Sequence, residues 1–400
     1  MSTRIIQRIV DICVIAILVT APTQFSIEIA RKTYISIVDP LIWITCLFMG
    51  IQYLQARRLP PLKVPLCTIL FLGIAALSIL RSPARLPALK DLFQYTEYFV
   101  VAFLLLSSAM ADATARRRYV ALYLAAAAAV VAVGLVHYLQ PSVEAFKVRG
   151  TFGNRNVLGG FLTLALPVMF GLALFGKGPM LRASLLLTVA LGCVVTLSGG
   201  TMVGLILAFA LMSMLKSQRA FLIVAAVFIV SFAVLAPRLP RHNTEILAQS
   251  VSLFDADGQM STRYPEWQAA AEMAKDNPLT GVGIGSYQTS VREYYGTIPD
   301  RAVASEPDSQ NLYLVLASTI GLPGLACFVG MLLIFFCKAA GAFVRLPEGF
   351  EKGLALGVLG SLVAFAINCI WSPLLVRGIG VPLAAVFSLA MTVGASRDEK

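Results

Sequence analysis

Charge is scarce in this chain. Asp, Glu, Lys and Arg make up 13% of the 400 residues, about half the share usual in a soluble domain. Apolar residues make up 58%, and the mean hydropathy is +0.81. These values exclude an ordinary water-soluble globule. Histidine is almost missing: His137 and His242 are the only two, which excludes a His-rich metal centre. The seven cysteines all fall in apolar runs and none in the longest hydrophilic stretch, so neither a disulfide framework nor a zinc site is expected. No soluble segment carries a basic stripe with interleaved aromatics, so the net charge of +11 does not indicate nucleic-acid binding.

What remains is a set of long apolar runs, near 5–26, 35–55, 64–81, 91–110, 119–139, 157–176, 182–198, 201–216, 220–236, 311–337, 353–371 and 379–395. Spanning elements of this composition are helices, because a bilayer leaves backbone polar groups no outside partner. The expected fold is an all-α integral membrane protein of about 12 transmembrane helices, forming a single polytopic domain over 1–400. No small-residue cleavage site follows the first run, which reads as a retained span. With the N-terminus in the cytoplasm, 17 of the 32 basic residues lie on that side. Nine lie in short loops opposite, and six in the one long loop at 237–310. That bias favours both termini inside.

The long loop separates spans nine and ten and is expected outside the cytoplasm. It holds ten acids against six bases, so it is acidic on a basic protein. Loops of this length are usually functional or disordered, and this one is not low-complexity. STRYPEWQAAAEMAKD (261–276) reads as an amphipathic helix capped by Ser261 or Thr262, with Pro265 in its first turn. Tyr264, Trp267, Ala271 and Ala274 would form its apolar face. Arg263, at the start of that helix, is a candidate phosphate ligand, or equally a surface arginine paired with Glu266. GVGIGSY (281–287) is a glycine-rich turn with no strand–turn–helix unit around it, so it is not a dinucleotide fingerprint. Its glycines would let the loop lie close against the membrane domain.

Two further polar clusters flank spans expected to open on the same side. KVRGTFGNRN (147–156) brings Lys147, Arg149 and Arg155, with Asn154 or Asn156 able to cap the sixth span. This reads as an anion site, the alternative being cationic anchoring to headgroups. EPDSQN (306–311) sets Glu306, Asp308, Ser309, Gln310 and Asn311 at the mouth of the tenth span. Ser309 or Asn311 can cap the tenth span, which explains one or two of these residues but not all five. GLPG (321–324) inside that span predicts a kink.

RGTFGNRN, then TRYPEWQAA with NPLTGVGIGSY, then SQNLYLVLASTIGLPG, in this order, resemble the O-antigen ligase and O-antigen polymerase superfamily. The motifs cover about 149–324. The resemblance implies an integral-membrane glycosyltransferase of the bacterial cytoplasmic (inner) membrane, its site facing the periplasm. It would take a glycan from an undecaprenyl-diphosphate carrier and join it to a hydroxyl of a glycan or lipid acceptor. Membrane lipids would be its surroundings, no nucleic acid would take part, and no metal or other cofactor would be needed. Carried over, Arg263, Asp308 and Gln310 are the catalytic candidates. Arg149, Asn154, Arg155, Asn156, Glu266, Trp267, Tyr287, Asn311 and Tyr313 are the substrate-binding ones.

The sequence departs from the ligase pattern twice. Gln310 stands where ligases usually carry a histidine, and an amide is no general base near neutral pH. LSGGTMVG (197–204) has no arginine where ligases usually carry one. These departures leave a polymerase-type enzyme, or one in which Asp308, Glu306 or Glu266 serves as base, with Asp308 first by proximity and His242 as a further replacement. The alternatives are a transporter of lipid-linked oligosaccharide and a non-catalytic scaffold of a polysaccharide export complex. Against transport, Asp11 and Glu97 are the only ionisable groups clearly within spans.

Overall fold

The computed structural model describes residues 3–23, 26–30, 33–55, 64–140, 148–196, 198–235, 259–295 and 309–394. Each of the twelve apolar runs folds as a helix. They are α1 (Thr3–Thr20), α2 (Val38–Gln55), α3 (Leu66–Ser78), α4 (Arg85–Ala109), α5 (Ala113–Leu139), α6 (Arg155–Phe175), α7 (Pro179–Val195), α8 (Gly199–Lys216), α9 (Gln218–Leu235), then α11 (Leu312–Arg345), α12 (Phe350–Asn368) and α13 (Gly380–Thr392). Helix α10 (Gln259–Asp276) belongs to the polar loop. By length and hydropathy α4, α5, α6, α8, α11 and α12 can each cross a membrane; the apolar segments of α3, α7, α9 and α13 are shorter. Large apolar side chains such as Leu47, Leu70, Leu187 and Val227 stand exposed on the outer helices, as a lipid-facing surface requires.

One element departs from the all-helical expectation. Ser26–Ala30 (β1) pairs antiparallel with Thr33–Ser36 (β2), with Ile27 opposite Ile35. Ser26–Ala30 alternates Ile with Ser and Glu, which is the period of a strand, and Thr33–Ser36 is rich in the β-favouring Thr, Tyr and Ile.

The helices alternate in direction, and their contacts define two ends. At one end Thr151 Oγ1 donates to the Pro22 carbonyl after α1 (2.7 Å), and Arg377, between α12 and α13, pairs with Asp39 at the start of α2 (2.9 Å). At the opposite end Arg116, the most voluminous fully buried side chain, meets Glu351 at 3.0 Å and donates to the Met110 carbonyl. Lys216 pairs there with Glu348 at 2.8 Å. Sequence alone places Arg116 among the bases on the cytoplasmic side and does not mark it as buried. It is buried because α5 and α12 both begin beside it.

Helix α6 is the hub. It is apolar all round and buried all round, as such a helix must be. Small residues set its crossing with α12, where Gly171 lies against the backbone of Gly353 and Gly357. Ser361 Oγ adds a hydrogen bond to the Leu164 carbonyl (2.8 Å).

The expected kink in α11 is a reversal. Gly321 has φ 78° and ψ 171°, a region open essentially to glycine alone. Along an unbroken helix Tyr313 and Phe328 would be about 22 Å apart in rise. Their ring centroids are 6.5 Å apart. The half-helix 312–320 therefore folds back beside the start of the segment 322–345. Its open backbone groups are satisfied from the polar loop. Val282 N–H donates to the Ser318 carbonyl (2.9 Å) and Gly283 N–H to Thr319 (2.9 Å), while the Pro278 carbonyl accepts from Leu322 N–H (2.8 Å). Thr319 needs this help, because the residue four positions on is Pro323, which has no N–H.

Candidate functional site

Four helix ends meet at the end of the bundle that carries the polar loop. Asn154 caps α6, its side chain accepting from Val157 N–H (2.9 Å). One residue into that helix, Asn156 Oδ1 accepts from Ser198 Oγ (3.2 Å), just before α8. In the first turn of α8, Thr201 Oγ1 accepts from Asn368 Nδ2 (3.1 Å), at the last residue of α12. The Cys369 carbonyl then accepts from Leu312 N–H (2.8 Å), the first residue of the half-helix. Three helix N-termini, of α6, α8 and α11, thus gather around the C-terminus of α12. Helix N-termini present unpaired N–H groups and positive partial charge, the combination that binds anions.

The mouth of the half-helix is built by Ser309, Gln310 and Asn311. Asn311 is the cap, accepting from Leu314 N–H (3.1 Å). Ser309 Oγ donates to the Asn311 carbonyl (3.2 Å). Gln310, between them, has φ +50°, the one non-glycine residue with positive φ among the described residues. Left-handed backbone at a bulky residue is strained, and such strain clusters at functional sites. Trp267 reaches this mouth from α10, its Nε1–H donating to the Ser309 carbonyl (2.8 Å). Tyr313 Oη donates to the Ala366 carbonyl (2.6 Å), tying the half-helix to α12.

The structure thus joins Asn156, Trp267, Gln310, Asn311 and Tyr313 through shared helix ends. Arg155 is half-buried in the first turn of α6, and Arg149 is exposed on the turn before it. Lys147 and Asp308 lie outside the described residues. Glu266 is half-buried, adjacent to Trp267 in sequence. Tyr287 is placed differently. It packs with Ala269, Ala270, Met273, Val291 and Tyr295 in a small core that holds the loop together.

Helix α10 differs from expectation in two respects. It begins at Gln259, so Pro265 lies beyond its first turn and Arg263 in its second rather than at its start. Its buried face is Ala269, Ala270, Met273 and Ala274; Trp267 and Ala271 are half-buried. The run of three alanines gives no contrast between faces, so docking on α11 decides which side is covered. Beyond α10 the glycine-rich turn presses into the bundle as its composition allows. A Cβ at Gly283 would stand 2.5 Å from Ser82 Cα, and Ile284 N–H donates to Ser78 Oγ (3.1 Å).

Between α10 and both halves of α11 lies an apolar groove of about 480 Å³. Ala271, Ala274, Pro278, Tyr313, Ala317 and Leu322 line it, and Lys275 is its one charged lining residue.

The turn after α12, where Asn368, Trp371 and Ser372 lie, is not among the three polar clusters picked out by sequence. It does carry a signal: three polar or amphipathic side chains in five residues closing an apolar run.

Residues 183–329 match the family model of the O-antigen ligase. The match runs from α7 through α8, α9 and the polar loop to just beyond the reversal in α11, and it supports the O-antigen ligase and polymerase superfamily. A comparison with curated proteins finds no match to the chain.

Proposed function

We propose that this protein is a multi-pass glycosyltransferase of the bacterial inner membrane. It moves a glycan from undecaprenyl diphosphate to an acceptor hydroxyl at the extracytoplasmic face. The observation that carries this reading is the gathering of three helix N-termini beside the Trp267–Ser309 latch; the latch and two of those N-termini, of α8 and α11, lie inside the stretch similar to O-antigen ligases. A diphosphate leaving group needs positive potential without water. Helix N-termini together with Arg149, Arg155 and Arg263 are suited to supply it. The carrier's hydrocarbon chain takes the apolar groove along α10 and α11. The acceptor oxygen attacks the anomeric carbon, and the bond from that carbon to the diphosphate breaks. The diphosphate leaves with the electron pair, and the hydroxyl proton passes to a carboxylate, Asp308 first and Glu266 second. Gln310 orients the hydroxyl. No metal is required. All twelve apolar helices cross the membrane, with the Arg116–Glu351 end in the cytoplasm and residues 237–310 outside, as the excess of basic residues at the Arg116 end supports.

The test is transfer by purified protein in nanodiscs, with undecaprenyl-diphosphate oligosaccharide and EDTA. Longer chains from donor alone identify a polymerase; product only after a separate acceptor is added identifies a ligase. Asp308→Asn should abolish transfer while donor still binds. An active Asp308→Asn removes Asp308 from the base role. If wild type is inactive across several donors, the enzymatic reading fails.

One observation favours transport as the second reading. Glu97 is 1% exposed inside α4, at the start of a π-helical stretch, and its Oε1 has no hydrogen-bond partner among the described residues. Buried ionisable groups within spans often mark transport paths. Flipping of labelled donor across proteoliposomes without any new glycan product would establish that reading.

A further inference from the structure

The turn after α12 holds a concentration of unmet polar groups. Asn368 and Ser372 are 0% and 1% exposed. Asn368 Oδ1, Trp371 Nε1 and Ser372 Oγ are buried and without a hydrogen-bond partner among the described residues. Native proteins leave few such groups, and each needs a reason. Three within five residues is a cluster. None of the residues carried over from the family motifs lies here.

The turn packs against the site. Asn368 Nδ2 donates to Thr201 Oγ1, and Oδ1 lies beside the first turn of α8. There Gly200 has no side chain. A Cβ would stand 2.9 Å from Asn368 Oδ1 and 2.7 Å from Trp371 Cβ. The next residue after Asn368, Cys369, holds the start of the half-helix through its carbonyl. Asn368 Oδ1 and the base of the Trp371 side chain therefore adjoin the N-terminus of α8, and the turn itself holds that of α11.

Their chemistry is specific. Asn368 Oδ1 only accepts, Trp371 Nε1–H only donates, and Ser372 Oγ does both. A phosphate, which only accepts when ionised, would leave Asn368 Oδ1 unmet. A sugar hydroxyl both donates and accepts, so the hydroxyls of a glycan can answer all three atoms. We infer that the 368–372 turn recognises hydroxyls of the glycan, beside the helix N-termini that take its diphosphate. This rests on the proposed glycan transfer and names the residues that select the sugar.

The test compares two probes by native mass spectrometry in nanodiscs: undecaprenyl diphosphate, and the same lipid bearing one N-acetylhexosamine. Wild type should bind the sugar-bearing lipid more tightly. Trp371→Phe and Ser372→Ala should each erase roughly fivefold of that preference, the size of one hydrogen bond, and leave sugar-free lipid unchanged. Using two conservative variants guards against one failing to fold. If both keep the wild-type preference while melting temperature falls, the atoms hold a buried structural water and the inference is overturned. A wild type that binds both lipids equally overturns it too. A retained preference without transfer would instead sink the enzymatic reading and leave sugar recognition standing.

Discussion

Replacing Gly321 by alanine should cost far more than replacing another glycine of the same helix. At φ 78° and ψ 171°, residue 321 sits where an L side chain costs about 1–3 kcal/mol. The new Cβ would also meet the Leu279 carbonyl oxygen at 2.4 Å, so the 278–283 loop must retreat. Three backbone hydrogen bonds depend on that contact, from Val282, Gly283 and Leu322 N–H. At about 0.5–1.5 kcal/mol each they bring the total to about 2.5–7.5 kcal/mol. Gly341, further along α11, has open space within 4 Å of where a Cβ would stand, so Gly341→Ala should be neutral or stabilise by up to about 1 kcal/mol. Denaturation in detergent measures both, and hydrogen exchange should show the amides of Val282, Gly283 and Leu322 opening together in Gly321→Ala. If the two variants are equally stable, or those amides stay protected, the loop does not hold the reversal.

Single contacts elsewhere can be tested in the same way. Arg116→Ala should destabilise the protein by about 3–5 kcal/mol in the same assay, because it strands Glu351 and the Met110 carbonyl. The Arg116→Ala/Glu351→Ala double variant should cost less than the two single losses added together. Trp267→Phe removes the donor to the Ser309 carbonyl and should lower kcat/KM for transfer roughly fivefold, with the purified protein still folded by circular dichroism. Asp112 caps α5, and the Ala115 N–H holds its carboxyl below the usual carboxylate range. A lowered folded-state pKa gives stability that is present above the unfolded value, near pH 4, and lost as pH falls through the folded one. Asp112→Asn should keep the cap and flatten that acid limb of a thermal-melt pH series.

Much of the helical plan is legible in the sequence because runs of apolar residues leave the backbone little choice. Caps at Asn154 and Asn311 are legible for the same kind of local reason, since each needs only a side chain and an amide three residues on. The reversal at Gly321 is not. GLPG alone is compatible with a shallow kink, and what turns it into a fold-back is a set of hydrogen bonds from residues some 40 positions earlier. The buried face of α10 escapes for a similar reason, because alanine on every side carries no periodicity. Asn368, Trp371 and Ser372 are hidden by their setting at the end of an apolar run, where polar residues usually mean only that a helix is ending.

That turn also constrains the bend at the start of α8. Gly200 abuts Trp371 and Asn368, and Thr201 abuts Gly159 on α6. A long side chain directed inward at either position would displace the turn or open the crossing of α6 and α8. The uncharged Ser198–Thr201 stretch and the polar turn after α12 therefore fit one another sterically. Introducing a charge at Gly200 should cost the Asn368–Thr201 hydrogen bond as well as gain a cation. Gly200→Arg is thus expected to bind sugar-free undecaprenyl diphosphate more tightly while losing the preference for the sugar-bearing lipid. A variant that gains the first without losing the second would show that the two features are independent.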